Sequence, residues 1–213
     1  MEQRARGLDD AIRPVARTRT LRGLTRSLDS LVATNADPHV VAARVGMLLA
    51  PALADPALLE ARHCEPADDR YRQHLVHVHP TGRYSIVALV WKPGQATPIH
   101  DHRCWCVVGV WRGREQETTY DLHVDAGSEY LLKRRSTAAL AGDVSVLVPP
   151  DEDIHRVENG GESLAISVHI YGADISVLGS SINREFDAEL VRAREPAQRE
   201  APVSWRALEP REA

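Results

Sequence analysis

Three histidines stand where they could share one metal ion. In Ile99-His100-Asp101-His102 the two imidazoles are separated by a single residue. On a strand, alternate side chains face the same side, so both would point one way and together can hold a divalent cation. A third nitrogen ligand is His155, which follows Pro149-Pro150 and a short acidic turn and heads the next strand. A sheet curled into a barrel would return it to the first pair. Three neutral imidazoles leave a bound metal its full charge and open positions. Zinc sites use the same set, so the ligands by themselves do not fix the metal.

A second group lies in Ser167-Val168-His169-Ile170-Tyr171. Alternation puts Ser167, His169 and Tyr171 on one face. A serine can hydrogen-bond an imidazole, and the imidazole can orient a phenol, giving a relay that delivers a tyrosine hydroxyl beside the metal. The plainer reading is a strand with a polar face in solvent and Val168 and Ile170 in the core.

These residues need elements to hold them. Residues 1–62 read as an N-terminal helical region packed on a barrel: Leu28, Leu31 and Val32, then Val40, Val41, Val45, Leu48 and Leu49, recur at helical spacing. Asp37-Pro38 between them fits a cap followed by proline at the first helical position. Residues 63–179 read as the barrel. Tyr84–Trp91, Val107–Trp111, Glu115–Tyr120, Val144–Val148 and Leu164–Tyr171 are strand-like, and glycine- or proline-rich turns separate them. The run at 84–91 has few polar positions and so suggests a buried strand, whereas Glu115–Tyr120 alternates like a half-exposed one. Residues 180–213 read as a polar helix at about Asn183–Arg194, ended by Pro196, and a charged tail. The expected fold is therefore an all-β sandwich or barrel flanked by helices at both ends.

Composition narrows the partners. The net charge of -4, with arginines scattered along the chain, gives no electrostatic case for nucleic acid or an anionic membrane. No apolar run is long enough to span a bilayer. The three cysteines, Cys64, Cys104 and Cys106, are too few and too odd in number for a disulfide framework, so a reducing cytoplasm is the expected location. Monomer or homodimer is the default assembly.

The histidines also sit in a pattern. Gly94, His100, His102 and Gly113 resemble the first cupin motif, with Cys106 where that motif usually carries a glutamate. Gly142, Pro150, His155 and Asn159 resemble the second, with Glu152 in place of its turn glycine. The resemblance implies a double-stranded β-helix, or jelly-roll, barrel. Together with Ser167-x-His169-x-Tyr171, the motifs resemble the cysteine dioxygenase type of thiol dioxygenase. That resemblance implies that His100, His102 and His155 hold Fe(II), that a small thiol binds through sulfur, and that O2 adds to give a sulfinate. Ser167, His169 and Tyr171 would form the outer relay. In the animal-type enzymes a cysteine near the position of Cys106 is joined to the tyrosine by a thioether, so Cys106 and Tyr171 are candidates for that bond. A small buried cysteine facing the barrel is the alternative.

The same resemblance bears on the substrate. Where cysteine dioxygenases carry an arginine for the substrate carboxylate, the run Tyr71-Arg72-Gln73-His74-Leu75 has Gln73, as in the bacterial branch that includes 3-mercaptopropionate dioxygenases. Gln73 offers one neutral hydrogen bond, weaker than a bidentate arginine. Arg72 should face the opposite side, and Arg83 and Arg103 are further candidates for the carboxylate. A mercapto acid, 3-mercaptopropionate first, is the expected substrate, with cysteine the alternative. The competing readings are a metal-dependent isomerase or hydrolase, which would leave Ser167-His169-Tyr171 without a role, and a cupin that senses a small ligand.

Overall fold

The computed structural model describes residues 18–151 and 153–192. Glu152 and the tail expected after Pro196 lie outside these residues. Helix α1 (Arg19–Val32) opens with the Thr18 hydroxyl accepting from the Leu21 amide, and α2 (Pro38–Ala52) opens with the Asp37 carboxylate accepting from His39. Each cap occupies an amide that the helix itself cannot pair. Leu21, Leu24, Leu28 and Leu31 of α1 are buried, as are Val41, Ala42, Val45 and Leu49 of α2. These stripes lie on a sheet, which accounts for their helical period.

That sheet contains β1 (Arg72–Val78), β2 (Ser85–Trp91), β4 (Cys106–Arg112), β7 (Val144–Leu147) and β9 (Ala165–Tyr171), in the order β1-β2-β9-β4-β7. A second sheet contains β3 (Ile99–His102), β5 (Arg114–Asp125), β6 (Ser128–Leu140), β8 (His155–Glu158), β10 (Ile182–Phe186) and β11 (Val191–Arg192), in the order β10-β3-β8-β5-β6-β11. Pairing is antiparallel except between β11 and β6. The short helix α3 (Ile175–Leu178) joins β9 to β10. Successive strands alternate between the sheets through much of the chain, which is the winding of the cupin double-stranded β-helix.

The first sheet is a middle layer. Ile86, Ala88 and Val90 of β2 pack with the helix residues, while Val87, Leu89 and Trp91 join Val108, Leu147, Val157 and Tyr171 in a second core between the sheets. Burial on both faces explains why β2 is apolar throughout after Ser85.

The motif glycines have a backbone reason. Gly94, Gly113 and Gly142 all have positive φ, at 80°, 78° and 100°. At Gly113 a Cβ would also lie 2.6 Å from the Leu164 carbonyl oxygen and 2.8 Å from Ala165 Cα, whereas at Gly94 it would meet nothing within 4 Å. Left-handed strain costs about 1–2 kcal/mol, and overpacking adds about 1–3 kcal/mol. Gly113→Ala is therefore expected to lower unfolding free energy by roughly 2–5 kcal/mol and Gly94→Ala by only the strain. Urea midpoints would check this, and equal losses would show that the close contact at Gly113 is not what matters.

The C-terminal helix expected at about Asn183–Arg194 is not formed. Residues 182–186 are β10 and residues 191–192 are β11. Tertiary pairing overrides local propensity here. Phe186 pairs with Ile99 and Glu185 with His100, and the Phe186 ring is buried near Ile99, Tyr120 and Leu131. The Asp101 carboxylate accepts from the Arg184 amide at 2.6 Å. Sheet geometry thus continues beyond residue 179, along the edge of the strand that carries the histidine pair.

Candidate metal centre

His100 and His102 project from β3 to one side, and His155, at the head of β8, is the register partner of His100. The three rings lie 4.7–5.0 Å apart between centroids. Each ring offers a nitrogen such that all three lie within 4.8 Å of one another. All three side chains are buried.

The other nitrogen of each ring is taken. His100 Nδ1–H donates to the Pro98 carbonyl at 3.0 Å, His102 Nδ1–H to Asp153 at 2.7 Å, and His155 Nδ1–H to Glu117 at 2.8 Å. This fixes the tautomer and leaves each Nε2 lone pair facing the shared centre. Asp153 also accepts from the His102 amide at 2.6 Å, and Ser145 donates to Glu117 at 3.4 Å. Burial, followed by the neighbouring rings, holds His100 well below the ordinary histidine range. Burial likewise lowers His155, although Glu117 pulls the other way. Buried, neutral, oriented imidazoles are the state in which nitrogen binds a metal, so the donor set fits a divalent cation.

Ser167, His169 and Tyr171 face the interior from β9, on the opposite sheet. Ser167 Oγ lies 2.9 Å from His169 Nε2, and Tyr171 Oη lies 3.2 Å from His169 Nδ1. All three are buried, so the reading of a solvent-facing polar strand does not hold. Val168 and Ile170 pack on the helix side of the sheet. Burial and then the His102 and His155 rings press His169 down to about 3. Burial, with the Cys106 thiol beside it, raises Tyr171 well above the ordinary phenol range. A neutral imidazole and an intact phenol are therefore the resting forms.

Cys106 is the register partner of Tyr171, and its Sγ lies 3.9 Å from His169 Nδ1. Burial pushes its thiol well up. All three cysteines are free. Gln73 pairs with Leu89, which pairs with Ser167, so Gln73 shares the inward face of the sheet but lies exposed at the rim. Beside it, Tyr71 stacks on Trp91 at 4.4 Å between centroids. Arg72 faces away and approaches Glu65 at 3.5 Å. Two carboxylate candidates are engaged elsewhere: Arg83 donates to the Val32 carbonyl at the end of α1 and to Asn35, and Arg103 donates to the Ile182 carbonyl at 2.9 Å.

Asn159 of the second motif has a structural task. Its amide donates to the Trp91 carbonyl at 3.0 Å and the Ser163 carbonyl at 2.8 Å, pinning the loop after β8 to the end of β2. Sequence reading missed Asp153 and Glu117. Their only signal was position: Asp153 stands two residues before a ligand, and Glu117 lies on the strand flanking β8.

Residues 12–179 match the family model described as cysteine dioxygenase type I. The chain is 29% identical over 126 residues to cysteine dioxygenase type 1 of Rattus norvegicus, covering 54% of this chain and 62% of that protein. It is 29% identical over 104 residues to the Danio rerio protein, covering 48% and 51%. The matches thus span less than two thirds of these curated relatives. Among solved structures, a Klebsiella pneumoniae protein with a double-stranded β-helix domain aligns at a TM-score of 0.42 and 18% identity, covering 56% of this chain and 92% of that one. An RmlC-like cupin from Desulfovibrio desulfuricans aligns at 0.39 and 23%, covering 55% and 95%. With the family model spanning most of its length, this chain belongs to the cysteine dioxygenase type I family.

Proposed function

We propose that the protein is a thiol dioxygenase that uses one Fe(II) ion, converting a small thiol and O2 to a sulfinic acid with both oxygen atoms ending on sulfur. The observation that carries this reading is the meeting, across the barrel interior, of a three-imidazole donor set with the Ser167–His169–Tyr171 relay. His100, His102 and His155 would hold the metal, and Asp153 and Glu117 orient two of them. Iron bound there would supply the redox-active centre at which dioxygen and sulfur react. The chain's own residues do the rest. The buried walls of the site exclude water, and Ser167 and His169 fix the hydroxyl of Tyr171, which offers a hydrogen bond to the reacting oxygen or to the substrate. The Cys106–Tyr171 pairing suits a thioether, which intact-mass and peptide spectra would report as a loss of two hydrogens.

Gln73 at the rim supports a mercapto acid, 3-mercaptopropionate first, since one amide donor suits a lone carboxylate. Cysteine is the second reading, favoured by the cysteine dioxygenases among the relatives. The proposal places the enzyme in the cytoplasm, as a monomer or homodimer. No described helix is long and apolar enough to cross a membrane.

The test is oxygen uptake by the iron-loaded protein with 3-mercaptopropionate, cysteine, cysteamine and mercaptosuccinate in parallel. Uptake is expected to be fastest with 3-mercaptopropionate. Gln73→Ala should raise KM for the mercapto acids about tenfold, the worth of one hydrogen bond, and leave cysteamine unaffected. No uptake with any thiol at verified iron occupancy would overturn the reading. A preference for cysteine would move the substrate to the second reading.

A further inference from the structure

Behind the relay lies a carboxyl group that the reaction, as described so far, does not use. Glu115 on β5 is 2% exposed. Ser167 and Trp91 lie beside its carboxyl group and favour its ionised form, while Trp91 Nε1 donates to Ser167 Oγ at 3.2 Å. Its Oε1 has no hydrogen-bond partner. An unpaired buried carboxyl oxygen is costly, so its presence here needs a reason.

We propose that Glu115 is the proton acceptor at the inner end of the relay, taking up through Tyr171, His169 and Ser167 the proton that a thiol substrate gives up in the barrel. The inference rests on the thiol dioxygenase reading and deepens it. The proton count is explicit. When Glu115 is a carboxylate, Ser167 donates to it, His169 Nε2–H donates to Ser167, and Tyr171 donates to His169 Nδ1. A proton leaving the thiol joins the Tyr171 oxygen, and the tyrosine's own proton passes to Nδ1. The Nε2 proton passes to Ser167 Oγ, and the serine proton passes to Glu115. One S–H bond is lost and one carboxyl O–H gained. No electrons change hands, and the buried charge moves from carboxylate to thiolate without changing in total. Tyr171 is left with its O–H directed into the site and its oxygen accepting from Nδ1–H.

The surroundings suit that task. The charged groups facing Glu115 are Glu117 on its own strand and, across a cavity of about 10 Å³, Asp143, with Ser145 beside it. Among the described residues, no arginine or lysine lines that space. Burial, then the Glu117 charge against the Ser167 hydrogen bond, pushes Glu115 up to about 7, so a proton can be both held and released near neutrality. The cavity has room for roughly one water. Ser145 also lines a groove of about 660 Å³ between β7 and the β5–β6 hairpin. Because RSH + O2 yields RSO2⁻ and H⁺, each turnover must discharge one proton, and this side of Glu115 offers it a way out.

The experiment adds 3-mercaptopropionate anaerobically to the iron-loaded protein at pH 8 and reads proton release with an indicator dye, normalised to bound thiol. Because the bound thiolate takes over the buried charge, Glu115 holds a proton more tightly there than in the free protein, so wild type is expected to release clearly less than one proton per thiol and Glu115→Gln about one. Ser167→Ala, which keeps the carboxyl but cuts its path, should also release about one, and it carries the test if the glutamine variant misfolds. In oxygen uptake, the acid limb of kcat/KM near pH 7 should vanish in Glu115→Gln, with a fall of about 10²-fold above it. Equal proton release by wild type and both variants would overturn the proposal while thiol oxidation by wild type stands. A wild type inactive with every thiol would overturn the dioxygenase reading and this proposal together.

Discussion

His155→Ala is expected to abolish thiol-dependent oxygen uptake and to leave the protein unable to retain iron through gel filtration. His155 supplies one of three nitrogens within 4.8 Å of one another, and two histidines on a four-residue strand make a weak site by themselves. The loss should be chemical rather than structural. The ring is buried, but β8 is still held by the pairing of Val157 with Glu117 and by the Thr97 contact to the Val157 amide at 3.0 Å. Asp153→Asn gives the contrast. It leaves every ligand in place but weakens the 2.7 Å hydrogen bond that orients His102, and should cost about 10–100-fold in metal affinity. A metal titration ranking the two variants equally would show that Asp153 is itself a ligand or that His155 is not.

The second large effect is on stability, and its sign is unusual. Glu115→Gln should stabilise the protein at pH 8 relative to pH 5 by about 2.5 kcal/mol compared with wild type. The carboxyl is raised to about 7 from 4.5 by burial. Between those values the folded chain holds a proton that the unfolded chain has released. The stability it contributes is present below pH 4.5 and lost as pH rises through 7. Glutamine does not titrate, so its curve lacks this fall. Urea unfolding of both proteins at the two pH values, at matched metal occupancy, isolates the effect because other titrating groups cancel in the difference. Parallel curves would mean that Glu115 ionises normally in the folded chain. This contribution would thus be absent in the pH range where Glu115, as the proposed proton acceptor, is ready to act, a trade between activity and stability seen at other functional sites.

What could be read from the sequence was what depends on local spacing. The paired histidines, His155, the alternating Ser167-His169-Tyr171 and the Asp37-Pro38 helix start each need only a few neighbours to be recognised. What could not be read depends on which side of a strand is the inside. Glu115 and Glu117 alternate with Gln116 as they would on a half-exposed strand, yet both face inward, because this barrel keeps its polar chemistry in the middle. β10 and β11 were invisible for a related reason. Ile182–Phe186 has no strong strand pattern, and only the open edge of β3, some 80 residues earlier in the chain, makes extension its best conformation. The long β6, rich in charge, was missed in the same way.

That late strand has a consequence for how copies of the molecule meet. β3 is flanked by β8 on one side and β10 on the other, so the row of amides and carbonyls beside the histidine pair is never offered to a neighbour. A version of the chain cut before Ile182 would bare that row along Ile99–His102 and expose the apolar patch that Phe186 covers. Bare strand edges next to apolar surface template pairing between molecules. Its characteristic failure would be self-association into β-rich aggregates. β10 therefore acts as a gatekeeper for solubility as well as the edge partner of the strand that carries the histidine pair.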